Sequence, residues 1–220
     1  YGSLVQHEHT LLAAMNTAVN TGLHGSVGIV RFIRPAERNA LSLSTLQELQ
    51  NTLSALTLRR DIRAIIFIGT DDIFLSGADI RELAQLDPDA ALAFSKLGQN
   101  VFQIIADAQQ IAIAAINGHC MGGGLDLALA CDIRVASKIA VFSQPGARLG
   151  IITGWGGTQR LPQIIGRARA LEFFATAGHY TSKAALEMGL VSAVADPVLT
   201  VALERAEMAI KEAELELGLL

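Results

Sequence analysis

The 220-residue sequence has few of the features that mark secreted or membrane proteins. It contains only two cysteines, Cys120 and Cys131, so a disulfide-stapled fold is not expected, and two packed, reduced thiols suggest the cytoplasm. No apolar run approaches the roughly 18 residues that a membrane-spanning helix needs. The first residues also lack the basic leader of a secretory signal. We therefore expect a soluble, cytoplasmic protein with no membrane partner.

Positive charge is also scarce. Lys and Arg total 17 against 21 Asp and Glu, which gives a net charge of −4 and no basic surface for nucleic acid. Nucleic acid is therefore not expected as a partner. Aromatic residues are few, but 51% of the residues are hydrophobic, enough to bury a substantial core.

Standard cofactor motifs are missing as well. No G-x-G-x-x-G or G-x-x-x-x-G-K-[ST] pattern occurs, so neither a dinucleotide site nor a P-loop is predicted. Nothing matches G-x-S-x-G or a zinc cysteine framework. His7 and His9 have no further ligand at usable spacing. We predict no metal and no separate cofactor.

The segments that are present alternate between strand and helix patterns. Apolar and β-branched runs predict strands over residues 27–33, 61–69, 111–116, 133–136 and 139–142. One helix is predicted with Ser44 as its cap, and Gln47 three residues later completes a capping box. Helical spacing predicts four more helices, over residues 90–107, 167–177, 182–188 and 201–217. This order predicts an α/β fold with parallel strands.

The chain divides into three parts on these patterns. Residues 1–24 form an amino-terminal extension of unknown role, residues 25–196 form the core, and residues 197–220 form a C-terminal helical segment. The last predicted helix is amphipathic and rich in glutamate, which favours a docking or subunit face over a catalytic piece.

Two turns of small residues each precede a predicted helix. Gly122, Gly123 and Gly124 follow the strand predicted over 111–116, and Ser76, Gly77 and Ala78 follow a polar turn. The first N–H groups of a helix have no partner within it, so each turn is able to aim one amide at a negatively charged oxygen. Together they would form an oxyanion hole. Spacing alone favours the alternative, that the glycines simply permit tight turns.

Several longer motifs occur in a fixed order over about residues 27–196. They are RPAERNAL at 34–41, FLSGADI at 74–80, AAINGHCMGGG at 114–124, CD at 131–132, QP at 144–145, LG at 149–150, GGTQRL at 156–161 and GLV at 189–191. In these motifs the chain resembles the enoyl-CoA hydratase/isomerase, or crotonase, superfamily. The resemblance implies a crotonase-like spiral of repeated β-β-α units and a homotrimer or hexamer.

The resemblance also implies a ligand and a set of site residues. The ligand is an acyl-CoA thioester, with coenzyme A entering as part of the substrate, and the two oxyanion amides map onto Ala78 and Gly123. The remaining substrate-binding positions are Ala36, Glu37, Arg38, Ser76, Asp79, Ile80, Arg81, Gly122, Gly146 and Trp155. Trp155 stands where the family has small residues, and we interpret it as packing or a pocket wall.

The chain departs from the family at the two glutamates that a hydratase uses. They map onto Asp126, which is shorter by a methylene, and onto Gly146, which has no side chain to move a proton. We therefore expect isomerase- or decarboxylase-type chemistry with Asp126 as the acid or base. Two alternatives stay open: an enoyl-CoA hydratase, which is a lyase acting on a 2-enoyl-CoA, and a non-catalytic subunit that binds acyl-CoA.

Overall fold

Two sheets of mainly parallel strands organise residues 17–216, which are the residues that the computed structural model describes. Strands are numbered in chain order. The six-stranded sheet contains, from edge to edge, β1 (Val19–His24), β2 (Val27–Phe32), β3 (Ala64–Ile68), β5 (Ile111–Ile116), β7 (Ile133–Ala136) and β10 (Ala193–Val194). The four-stranded sheet contains β4 (Ile73–Leu75), β6 (His119–Met121), β8 (Val141–Ser143) and β9 (Tyr180–Thr181).

The centre of the larger sheet is parallel and fully covered. Ile66 of β3 pairs with Ile29 of β2 on one side and with Ile113 of β5 on the other. All residues of β3 are buried. A parallel strand with both faces covered needs such a continuous apolar run, which is why the sequence predicts it well.

From β3 to β8, successive strands alternate between the two sheets, and helices follow each pair. The pairs β3 and β4, β5 and β6, and β7 and β8 each place one strand in each sheet, which gives the repeated β-β-α unit expected from the resemblance. The helices are α1 (Leu43–Thr57), α2 (Ile80–Leu83), α3 (Pro88–Ala106), α4 (Gly123–Ala130), α5 (Gly146–Leu149), α6 (Gly157–Ile165), α7 (Arg167–Thr176), α8 (Ser182–Glu187) and α9 (Val198–Glu216).

The boundary predicted at residue 24 falls inside a hairpin. β1 pairs antiparallel with β2, with Val19 opposite Phe32, so the sheet begins before residue 25. The Glu48 carboxylate also accepts hydrogen bonds from the Ala18 amide at 2.9 Å and the Val19 amide at 3.3 Å. β1 escaped prediction because it is an edge strand on which only Val19 is buried. Residues 1–16, with His7 and His9, lie outside the described residues.

Two further details differ from the sequence prediction. The residue that caps α1 is Ser42 rather than Ser44, because the Ser42 backbone is extended and its side chain accepts from the Thr45 amide at 3.1 Å. Helix α6 was not predicted, since a run of glycines precedes it and Pro162 lies within it.

The last helix, α9, packs along the larger sheet of its own chain. Its buried residues Val198, Ala202, Ala206 and Ile210 recur every four positions and pack against Ile66, Ile68 and Ile113 among others. An ion pair of 3.0 Å between Arg63 and Glu214 lies near its end. This apolar face therefore covers the sheet itself. Among residues 17–216, none of the helices has the length and apolarity needed to cross a membrane.

Candidate active site

The two turns of small residues come together beside the start of α4. After β4, the first turn is held by hydrogen bonds from the Ser76 amide to the Arg38 carbonyl, 3.1 Å, and from the Leu41 amide to the Gly77 carbonyl, 2.8 Å. The second turn is held by a bond of 3.0 Å from the Gly122 amide to the Ser143 carbonyl. Backbone bonds to neighbouring segments thus fix both turns.

Glycine is required where the turns meet. Gly77 has a φ of 96° and Gly122 a φ of 51°, both in the region that side chains disfavour. A Cβ on Gly77 would lie only 3.0 Å from the Gly123 nitrogen. Because Gly77 lacks this atom, the turn of residues 77–78 can approach the start of α4 closely. The Ala78 nitrogen would lie 3.6 Å from a Cβ placed on Gly123.

The amides of Ala78 and Gly123 are both available to a ligand. Gly123 is the first residue of α4, so its N–H has no acceptor within the helix. Across residues 17–216, neither amide donates a hydrogen bond to another group of the chain. Both residues line the same cavity, and the positive end of the helix dipole lies at Gly123.

An apolar cavity of about 400 Å³ opens at these amides. Its wall includes seven of the predicted site residues: Ser76, Ala78, Ile80, Gly122, Gly123, Gly146 and Trp155. The rest is mostly apolar and includes Leu83, Phe94, Leu149, Ile151 and Ile152. A larger but shallower opening of about 590 Å³ between α1 and α3 contains no predicted site residue, so we place the site at the smaller, enclosed cavity.

The other predicted site residues do not line this cavity. Ala36, Glu37 and Arg38 are exposed around a short 3-10 helix, joined to the site through the Arg38 carbonyl. Asp79 caps α2 and holds Arg81 in an ion pair of 3.0 Å. Asp126 lies behind the wall.

The Asp126 carboxyl is fully buried on α4. It accepts a hydrogen bond of 2.8 Å from the Gln144 Nε2 and another from the Thr153 hydroxyl. Burial raises the pKa of Asp126 from its ordinary value near 3.8 to about 6, although both hydrogen bonds and the charge of Arg160 act in the opposite direction. Asp126 is therefore connected to the cavity through residues that line it, among them the side chains of Thr153 and Gln144.

Trp155 fills the space between α3 and α4. Its side chain is 5% exposed, and its ring meets Phe94 and Phe102 edge-on with centroids 5.3 Å and 5.6 Å away. A methyl group on either Gly98 or Gly123 would overlap the indole. Two glycines thus make room for the ring, which closes one side of the cavity.

Gly146 has no room for a side chain in this conformation. A Cβ there would lie 2.5 Å from the Ile151 carbonyl oxygen. The loop that follows α5 therefore occupies the place where the family's second glutamate would begin.

Sequence reasoning gave no role to Thr153, Gln144 or Phe94. Gln144 lies within a quoted motif, but Thr153 lies in a glycine-rich loop where nothing shows which way its hydroxyl points. Phe94 belongs to the apolar face of α3, so it has the pattern of an ordinary core residue. No three His, Cys, Asp or Glu side chains between residues 17 and 216 come together as metal ligands would.

Comparison with protein families covers nearly the whole chain. The family model described as enoyl-CoA hydratase/isomerase matches residues 22–218. The chain belongs to the enoyl-CoA hydratase/isomerase family. This membership confirms the resemblance found in the motifs.

Curated members of the enoyl-CoA hydratase/isomerase family are similar over most of the chain. The putative enoyl-CoA hydratase/isomerase YngF of Bacillus subtilis is 42% identical over 172 residues, 78% of this chain and 66% of that protein. The short-chain-enoyl-CoA hydratase of Clostridium acetobutylicum is 37% identical over 79% of this chain and 67% of that protein. The crotonyl-CoA hydratase of Syntrophomonas wolfei is 39% identical over 74% of this chain and 64% of that protein. The matched part of the chain thus spans about two thirds of these relatives' length.

Solved structures of family members share the fold. The enoyl-CoA hydratase of Bacillus anthracis superposes with a TM-score of 0.84 at 34% identity, covering 87% of this chain and 76% of that one. The enoyl-CoA hydratase of Thermoplasma volcanium gives a TM-score of 0.85 at 32% identity, covering 90% and 79%. The predicted crotonase-like fold is confirmed.

Proposed function

We propose that this protein is an enzyme that binds an acyl-CoA thioester and stabilises its enolate. The thioester oxygen accepts hydrogen bonds from the amides of Ala78 and Gly123, while the acyl group lies in the apolar cavity. The observation that carries the proposal is the pair of unpaired amides meeting at that cavity. Each such donor contributes about 10²-fold or more to rate in comparable sites, because it acts on charge that develops during the reaction.

Isomerisation of a double bond or decarboxylation of a malonyl-type thioester suits this site best. Both reactions pass through an enolate and need one proton-transferring group. The Asp126 carboxyl bonds to Thr153 in the cavity wall, and Gly146 leaves the second family position without a side chain. Hydration is the second candidate, because the relatives from Clostridium acetobutylicum and Syntrophomonas wolfei are named as hydratases.

A substrate screen tests the proposal. The purified chain is incubated with crotonyl-CoA, 3-butenoyl-CoA and methylmalonyl-CoA, and the products are identified by mass spectrometry and NMR. We expect the double bond to move or carbon dioxide to be released, with little addition of water. Hydration of crotonyl-CoA at the ordinary enzymatic rate of about 1–10³ s⁻¹ would select the second candidate instead.

Binding without turnover would indicate a different class of protein. If CoA esters bind in calorimetry but a wider set of 2-enoyl, 3-enoyl, dienoyl and malonyl-type esters gives no product, the chain is a binding subunit. The exposed segment 36–38 is then still expected to contact the CoA portion, because the Arg38 carbonyl holds Ser76 in the cavity wall.

A homotrimer or hexamer is the assembly we propose. Exposed apolar side chains near the cavity, such as Ile151 and Ile152, are candidates for burial between subunits. Ile152 alone is 69% exposed in the single chain. Sedimentation equilibrium measures the mass directly, and a monomer would contradict this assembly.

A further inference from the structure

The buried carboxyl of Asp126 and the cavity are connected by one hydroxyl group. Thr153 lines the cavity and is only partly buried, and its Oγ1 hydrogen-bonds to Oδ2 of Asp126. Asp126 itself is fully buried and does not belong to the cavity wall. A group that moves a proton must come within hydrogen-bond reach of the reacting atom. Of the two residues, Thr153 is the one that lines the cavity in which the thioester would lie.

Gln144 fixes the other side of the carboxyl. Its Nε2 donates to Oδ1 of Asp126 at 2.8 Å and to the Gly122 carbonyl at 3.2 Å. The amide thereby ties the carboxyl to the residue that precedes α4. An amide donates hydrogen bonds but does not accept or release protons at ordinary pH. Gln144 therefore holds Asp126 in place, and of the two side chains that bond to the carboxyl, Thr153 is the one with a hydroxyl proton to exchange.

We propose that Thr153 is the catalytic residue that exchanges a proton with the bound thioester, and that Asp126 is a positioning residue that supplies or stores this proton through it. This inference rests on the proposed function, since it needs a thioester enolate held at Ala78 and Gly123.

The proton balance is simple. When the enolate is protonated, the Thr153 hydroxyl proton forms a C–H bond with the α-carbon, and the carboxylic acid of Asp126 returns a proton to the Thr153 oxygen. The electron pair of the C=C bond becomes the new C–H bond, the thioester C=O forms again, and Asp126 becomes a carboxylate. Removal of an α-proton is the same step reversed. No oxidant, metal or other reactant is needed.

The electrostatics of Asp126 agree with this role. Its pKa is raised to about 6 mainly by burial, so both protonation states are accessible near neutral pH. The titratable groups that face it are Cys120 on β6 and Arg160 on α6. Burial raises the pKa of Cys120 well above its ordinary value, so that thiol stays neutral. The charge of Arg160 lowers the pKa of Asp126, but burial has the larger effect.

The other hydroxyl groups in the cavity wall lack such a connection. Ser95 accepts a hydrogen bond from Gln99 at 3.2 Å. The hydroxyl of Ser76 has no hydrogen-bond partner among the described residues, although its backbone amide donates to Arg38. Among the cavity hydroxyls of residues 17–216, that of Thr153 is the one bonded to a carboxyl.

The test measures exchange of the α-protons of butyryl-CoA with D2O by NMR, together with binding of the thioester by calorimetry. Thr153→Val keeps the shape and removes the hydroxyl, and Thr153→Ser keeps the hydroxyl. We expect Thr153→Val to slow exchange by about 10²-fold or more and to change the Kd by less than about threefold. Thr153→Ser retains exchange within about tenfold of the unmodified protein.

Two controls separate this role from a structural one. Thr158→Val removes a nearby hydroxyl that does not line the cavity and that, within residues 17–216, accepts a hydrogen bond from Gln159 alone, at 3.4 Å, so exchange stays unchanged. The pH profile of exchange rises through pH 6 in the unmodified protein and in Thr153→Ser, and it loses this rise in Asp126→Asn. The double variant Asp126→Asn/Thr153→Val is no slower than either single variant, because the two groups act as one unit.

Exchange at an unmodified rate in Thr153→Val would overturn the inference and leave the proposed function intact. If that variant does not fold, Thr153→Ser decides: a loss of exchange as large as in Asp126→Asn also overturns it. Absence of exchange in the unmodified protein would overturn it too, while the substrate screen separately judges the proposed function.

Discussion

The Gly123 amide and the Asp126 carboxyl are three residues apart on α4, yet one lines the cavity and the other is buried behind its wall. The amide lines the cavity through the backbone alone. The carboxyl is buried behind Thr153 and Gln144, which belong to other segments of the chain. Placing a backbone donor requires only a local turn and glycine. The position of a side chain depends on contacts with segments distant in sequence, and two positions of these segments, Gly146 and Trp155, depart from the family pattern.

The largest expected effect on turnover comes from disturbing the two backbone amides, those of Ala78 and Gly123. Gly77→Ala introduces a Cβ that would lie 3.0 Å from both the Gly123 nitrogen and the Met121 carbonyl oxygen, at a φ of 96°. The two amides can then no longer face one oxygen, and we expect turnover of the substrate found in the screen to fall by about 10²–10³-fold.

Gly25→Ala is the matched control for this change. Gly25 also has a positive φ, 58°, but nothing lies within 4 Å of an added Cβ. It should therefore lower the melting temperature through backbone strain without slowing turnover. Equal turnover in Gly77→Ala and the unmodified protein would contradict the oxyanion hole.

A smaller effect on activity is expected from changing Trp155, which forms part of the cavity wall beside Gly123. Trp155→Leu removes part of the ring that closes the cavity beside Gly123. Longer acyl groups should then be accommodated, and we expect the ratio of kcat/KM for an eight-carbon over a four-carbon thioester to rise by about tenfold. Steady-state kinetics with the two thioesters measures this ratio.

Phe102→Leu provides the comparison for the Trp155 variant. Phe102 packs against the edge of the same indole but is fully buried and does not line the cavity. Both variants lose core packing and should be less stable by about 1–3 kcal/mol. Only Trp155→Leu should alter chain-length preference, and an equal change in both would point to general loosening of the fold.

The smallest expected effect concerns the stability cost of the buried carboxyl. The pKa of Asp126 is about 6 in the folded chain against 3.8 as the ordinary value, so the unfolded state releases this proton first as pH rises. Asp126 therefore destabilises the fold increasingly from about pH 4 to pH 6, and the full cost is present above this window. Asp126→Asn should be more stable than the unmodified protein at pH 7 by about 1–3 kcal/mol, and this difference should disappear near pH 4.

Urea denaturation at several pH values measures this difference. The unmodified protein, measured over the same pH range, is the reference for this difference. A destabilised Asp126→Asn at pH 7 would show that the ionised carboxyl supports the fold instead of straining it.

Features that depend on local sequence can be predicted for this protein, whereas those that depend on contacts between distant segments cannot. β3 and β5 are predictable because buried parallel strands need continuous apolar runs. At Gly122 and Gly123, spacing alone favours simple tight turns, and only the family resemblance makes these residues site candidates. β1 was missed because its stability comes from pairing with β2 and from Glu48, contacts distant in sequence. Thr153 was missed because its importance depends on Asp126, 27 positions earlier. Side-chain placement of that kind has no local pattern.

The indole between α3 and α4 also provides an intrinsic fluorescent probe of the cavity. Trp155 is the single tryptophan in the sequence, so all indole fluorescence comes from the cavity wall. Its emission should shift to longer wavelength when the chain unfolds and water reaches the ring. A thioester entering the cavity alters the ring's surroundings without unfolding, so occupancy and folding can be followed in one sample without a label.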